Sequence, residues 1–109
     1  MICYWDGWNR AHATRHGVTI PEIEYVIQHA VSPYPEFIDG GKYLIRGQTS
    51  AGRYVQVIFA YTSTERMKFE EMSIDELLRL ERSKGPYLYV IHARDLNERE
   101  KRRTRKRRR

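Results

Sequence analysis

Apolar residues recur along this chain with two periods. Ile23, Val26, Ile27 and Ala30 fall at i, i+3, i+4 and i+7, one face of an α-helix. Thr19 with Glu22 three residues on is a capping box, in which hydroxyl and carboxylate each take a backbone N–H of the first turn. Val18 and Ile23 flank that cap as a hydrophobic staple, and Ser32-Pro33-Tyr34-Pro35 ends the segment. A thinner helix is predicted from Asn9 to His16, capped by Asn9 and ended by Gly17.

The second period is that of strands. Tyr43–Thr49 and Arg53–Tyr61 flank Ser50-Ala51-Gly52, a short glycine-bearing turn that predicts a hairpin. Phe37-Ile38 adds a shorter strand before Asp39-Gly40-Gly41, and residues 2–5 an edge strand. Tyr87–Arg94, rich in β-branched and aromatic residues, is the last. On it Leu88, Val90, His92 and Arg94 alternate, so all four are expected on one face, an apolar run ending in His and Arg.

An insertion over residues 62–86 separates the last two strands. Ser73 and Glu76 predict a capped helix there, with Met72 and Leu77 as its staple and Gly85-Pro86 as its end. Ile74, Leu77 and Leu78 form the stripe expected to pack on the sheet. Asn97 and Glu100 can cap a terminal helix, but Leu96 is the last apolar residue, so that helix lacks an apolar face. Beyond about residue 101 disorder is expected unless an anion binds. The order predicts an α+β fold: two N-terminal helices packed on a small antiparallel sheet, an inserted helix, and a basic C-terminal helix or tail. One domain over residues 1–100, then a tail over 101–109, suits 109 residues.

Charge changes the picture only after it is divided. The net of +6 comes from 20 basic and 14 acidic side chains. Residues 101–109 hold 8 basic and no acidic residues, so the other 100 carry 12 basic against 14 acidic, a net of −2. The tail is therefore the polyanion-binding signal, and it acts in a salt-dependent way. No apolar run approaches the roughly 20 residues of a membrane span, and the start lacks the pattern of a secretory signal. With one cysteine, Cys3, no internal disulfide or Cys-based zinc site is possible. The expected location is the cytoplasm, with no membrane partner.

Few side chains suit chemistry. His12 and His16, four apart, are expected to share a helical face beside Arg15. Zinc would want at least a third ligand and the spacing singles none out, though His29 and His92 are available, so no metal or other cofactor is expected. Cys3 reads as packing, not as a nucleophile. No Gly-x-Ser-x-Gly elbow and no glycine-rich phosphate loop occurs. Trp5, Trp8 and the tyrosines read mainly as core and sheet residues. Arg46 lies on the first hairpin strand and Arg53 opens the second, where pattern alone reads it as an ordinary surface arginine.

Several short motifs keep a recognisable order: Trp5-Asp6; Arg15-His16-Gly17-Val18-Thr19 with Glu22 and Glu24; Gly47-x-Thr49-x-x-Gly52-Arg53; and Val90-Ile91-His92-Ala93-Arg94 with Glu100. In these the chain resembles the BrnT family of toxins from type II toxin–antitoxin pairs, small ribonucleases with a RelE-like fold. The match spans roughly residues 5–61 and 87–103. The chain departs from the family pattern at Arg15, where a lysine is usual, and at His12, His92 and Thr104. The insertion over 62–86 is a further departure. The resemblance implies metal-independent RNA cleavage, in which the RNA's own 2′-hydroxyl attacks the adjacent phosphate. It implies a cognate ribbon-helix-helix, DNA-binding antitoxin as partner, with homo- and hetero-oligomers both open. Such cleavage needs a base, an acid and cations for the transition state, which makes His16, His92, Arg53, Arg94 and Glu100 the catalytic candidates: the arginines on phosphate, the histidines in proton transfer with His12 a further candidate, and Glu100 as base or as orienter of an arginine. Arg15, Lys101, Arg102 and Arg103 are the RNA-binding candidates. The competing reading is a catalytically inactive module that binds nucleic acid or antitoxin.

Overall fold

Among the described residues the two periods resolve into a five-stranded sheet and four α-helices, an α+β fold. In the computed structural model, which describes residues 1–107, the elements run β1 (Ile2–Tyr4), α1 (Gly7–Thr14), α2 (Ile20–Gln28), β2 (Glu36–Asp39), β3 (Lys42–Gln48), β4 (Tyr54–Thr62), 3₁₀ turns at Thr64–Arg66 and Phe69–Glu71, α3 (Ile74–Arg82), β5 (Tyr87–Asp95) and α4 (Glu98–Arg107). The strand order is β1-β5-β4-β3-β2. β1 pairs parallel with β5 and the other pairs are antiparallel, so the sheet is mixed and not wholly antiparallel.

The hairpin turn sets the register. Thr49 N–H donates to the Arg53 carbonyl at 2.8 Å, and Gly52, at φ +89°, supplies the left-handed residue the turn needs. Pairing centred on Ala51 places Ile45 opposite Val57 and Arg46 opposite Gln56. One sheet face then carries Ile45, Val55, Val57 and Phe59, all fully buried. α2 covers this face by packing on β3 and β4 with Ile23, Val26 and Ile27. Its Thr19–Glu22 capping box forms as expected. α1 packs along β5 and adds Ala13 to the same core.

β5 does not keep its alternation. The pairing slips by one residue between Ile58 and Phe59: Phe59 faces Val90, whereas Ile58 faces His92. Ile91 is the extra residue of a β-bulge, which reverses the facing of everything after it. Leu88, Val90 and Ala93 therefore lie in the core. His92 and Arg94 lie on the opposite face, with Ile58 and Gln56, and not on the face of Leu88 and Val90 that strict alternation predicts.

Three helix expectations are corrected. The cap of α1 is Asp6, not Asn9: the Asp6 carboxylate takes the Asn9 N–H at 2.9 Å and the Asn9 side chain takes the Asp6 N–H at 2.7 Å. Asn9 is buried and also donates to the Tyr4 carbonyl at 2.9 Å, bonds that only a position inside the first turn can make. In α3 the stripe Ile74, Leu77 and Leu78 is exposed, Ile74 to 76%. Leu80 is the buried position instead, in a satellite cluster with Tyr4 and Met67 beside Tyr87 and Tyr89. The Glu76 side chain reaches Arg10 at 3.1 Å. Finally, the basic segment is helical through Arg107, where disorder was expected beyond residue 101; residues 108 and 109 lie outside the described residues. Among the described residues no helix is long and apolar enough to cross a membrane.

Candidate functional site

The bulge brings the chemistry-bearing residues onto the sheet face that α2 does not cover. There Arg46, Gln56 and Arg94 stand in one cross-strand row. Gln56 Oε1 accepts from Arg46 Nε at 3.0 Å and fixes that guanidinium. Glu100, from the first turn of α4, closes over the row. Its two oxygens accept from Arg94 Nη1 and Nη2, each at 2.8 Å, and one of them also from Arg46 Nη2 at 3.1 Å. Arg94 also donates to the Asp95 carbonyl at 2.9 Å.

These bonds hold the Glu100 carboxyl down at about 2, Arg94 first among the causes. A group so acidic and so fully engaged is a poor base near neutral pH. The geometry makes it an orienter of arginines.

His92 is next in the row direction, opposite Ile58. Its imidazole is half-buried, its Nδ1 is buried without a hydrogen-bond partner, and its pKa is lowered by burial first, then by His16, Arg94 and Arg15. It therefore favours the neutral ring, able to accept a proton at pH 7. His16 meets it edge to face, 5.0 Å between centroids. This contact exists because α1 ends at Thr14: Gly17, at φ +83°, turns the chain and His16 swings out of the helix. His12 and His16 consequently do not share a helical face. His12 stacks on Trp8 at 3.8 Å and its Nδ1 donates to the Trp8 carbonyl at 2.8 Å. His29 does the same with Tyr25. Among the described residues no group of three or more His, Cys, Asp or Glu is arranged to hold a metal ion. A hollow of about 430 Å³ opens beside His92, floored by Ile58 and Ile91 and rimmed by Asp39 and Lys42.

Arg53 is committed elsewhere. Its guanidinium donates to Asp95 at 2.9 Å and to the Gly17 carbonyl at 3.0 Å, and it faces Glu22 at 3.5 Å. It ties the α1–α2 turn to the end of β5. Arg15 is exposed at the C-cap of α1, within electrostatic reach of His92. Lys101 pairs with Glu98 at 3.2 Å, and Arg102 and Arg103 line a shallow basic hollow along α4 with Arg99, Arg105 and Lys106. Burial pushes the Cys3 thiol up to about 12, which suits packing and not nucleophilic attack.

The structure thus gathers His16, His92, Arg94 and Glu100 and leaves Arg53 in a separate ion-pair group. Arg46 belongs to the gathered set although it carried no role in the sequence reading. Its signal was available: a turn centred on Ala51 puts Arg46 opposite Gln56. No family model, curated protein or solved structure matches the chain.

Proposed function

We propose that the chain is a metal-independent endoribonuclease, the toxin of a type II toxin–antitoxin pair. The observation that carries the reading is the His16–His92 contact beside the Arg94 guanidinium, supported by the BrnT-like order of motifs. In this scheme neutral His92 takes the proton of the RNA 2′-hydroxyl as that oxygen bonds to phosphorus. The bond from phosphorus to the 5′-oxygen breaks and His16 protonates the leaving oxygen. A 2′,3′-cyclic phosphate and a 5′-hydroxyl result. Arg94 offsets charge growing on the phosphate oxygens. Glu100 holds Arg94 in place before RNA binds, and Arg53 supports the fold. Arg15 and the basic side chains of α4 hold the RNA. The toxin's partner would be a ribbon-helix-helix antitoxin.

The test is RNA cleavage by purified chain in chelator, with end-group analysis. His92→Ala and His16→Ala should each lower the rate by about a hundredfold or more without changing the circular dichroism. Because burial and the neighbouring His16, Arg94 and Arg15 lower the His92 pKa, the acid limb of the cleavage profile should lie below the pH at which an ordinary histidine titrates. Cleavage that survives both substitutions, or that needs an added divalent ion, sinks the scheme.

A second reading, an inactive module binding antitoxin or nucleic acid, draws on the uncovered Ile74–Leu77–Leu78 stripe of α3. It expects no RNA cleavage.

A further inference from the structure

We propose that Arg46 and Arg94 form a seat for a phosphodiester oxyanion of nucleic acid, and that Glu100 fills this seat when no ligand is bound. Two guanidinia from β3 and β5 converge on one carboxylate, so two positive charges face one negative charge. Three N–H groups reach its two oxygens from the sheet side, at 2.8, 2.8 and 3.1 Å. A phosphodiester also presents two anionic oxygens, and guanidinium forks bind such pairs in the same way. Arg46 is thereby a phosphate-binding residue beside Arg94, and Gln56 is its positioning residue through the 3.0 Å bond to Nε. His92 lies on the same face, two residues from Arg94, so a phosphate in this seat sits next to the imidazole pair.

The occupant is exchangeable because of how α4 is held. No Leu, Ile, Val, Met or aromatic residue follows Leu96. Among the described side chains of α4, Thr104 is the fully buried one, and its hydroxyl has no hydrogen-bond partner. The other contacts of α4 include the ion pairs of Glu100 and the stacking of Arg105 over Tyr54 at 5.7 Å. A polyanion gathered by Arg99, Arg102, Arg103, Arg105 and Lys106 therefore competes, on the helix that delivers Glu100, for the arginines Glu100 occupies.

The inference rests on the proposed reading only in taking the ligand to be a nucleic-acid backbone. Its test is binding, independent of cleavage. The probe is a deoxydinucleotide, which lacks the 2′-hydroxyl, titrated into the full chain at fixed salt and followed by NMR, with inorganic phosphate as the parallel arm. Glu100→Gln should tighten dinucleotide binding by about tenfold. Gln keeps an oxygen for the Asn97 N–H, so the helix cap survives. Glu98→Gln makes the same charge change in the same turn, at an exposed side chain that pairs with Lys101, and should alter binding far less. Adding Arg46→Ala to Glu100→Gln should abolish the gain. In wild type, amide-exchange protection over residues 101–106 should fall as dinucleotide is added.

Equal gains from Glu98→Gln and Glu100→Gln, a gain that survives Arg46→Ala, or unchanged α4 protection would overturn the proposal. Inorganic phosphate binding as tightly as the dinucleotide would overturn the nucleic-acid assignment. A chain that cleaves RNA but shows no Glu100-specific gain loses the seat and keeps the ribonuclease reading. A chain with that gain and no cleavage keeps the seat and loses the ribonuclease reading.

Discussion

α2 and α4 begin alike and are held by different forces. Each opens with a reciprocal capping box, Thr19 with Glu22 and Asn97 with Glu100. In each the acidic partner also faces an arginine, Arg53 for Glu22 and Arg94 for Glu100. α2 then buries three branched side chains against the sheet. α4 buries one threonine and relies on a carboxylate shared by two guanidinia. A capping signal thus fixes where a helix starts and says little about what keeps it on the protein. Apolar burial carries no charge to titrate or screen, whereas ion-pair docking weakens with both acid and salt.

The comparison breaks most visibly at Ile27. Ile27→Ala removes a side chain that is 1% exposed and should cost about 2–5 kcal/mol in global unfolding by denaturant. A loss under 1 kcal/mol would mean that α2 is no better anchored than α4.

Acid should separate the two helices next. The Glu100 carboxyl is held at about 2 against an ordinary 4.5, so its contribution is complete above the ordinary value and disappears as pH falls through about 2. Between those limits the amides of α4 should lose exchange protection before those of residues 20–28. Simultaneous loss would show one cooperative unit.

Thr104→Val should act in the opposite direction. It keeps the shape and removes a buried hydroxyl without a partner, so α4 should gain about 1 kcal/mol of docking stability, read from amide exchange. A loss of that size would show that the hydroxyl is bonded. The smallest effect belongs to Ile74→Ala on the exposed stripe of α3. The melting temperature should reflect a change within about 0.5 kcal/mol. A larger drop would place Ile74 in a packed contact.

The hairpin, α2 and the α+β order were legible because their signals are local: a turn at Ala51, a capping box, an apolar face with helical period. What escaped the sequence depended on partners distant along the chain. Asn9 looks like a cap until the Tyr4 carbonyl is seen to claim its side chain. The Ile91 bulge is invisible to a period-two reading, and it decides which face carries His92 and Arg94. Ile74, Leu77 and Leu78 make an amphipathic stripe, yet the insertion packs beside Tyr4 and Met67 through Leu80. α4 has no apolar period at all. Its docking is written in three charges, two of them on strands. Within the candidate site, residue types were readable and their grouping was not: His16 meets His92 through a chain reversal, and Arg53 is drawn off by Asp95 and Glu22.

The parallel pairing of β1 with β5 has a consequence for the order of folding. Ile2 pairs with Tyr87, Cys3 with Leu88 and Tyr4 with Tyr89, each separated by 85 positions in the chain. The β3–β4 hairpin needs only its own turn and can form as soon as residues 42–62 are made. β1 has no strand to join until synthesis passes residue 89, and closing so long a loop slows folding relative to local pairing. During synthesis Tyr4 waits for its strand partner and the Asp6 carboxylate for the Tyr89 hydroxyl that donates to it. Sheet closure and completion of the His16–His92 pair are therefore late events that share one trigger, the arrival of β5.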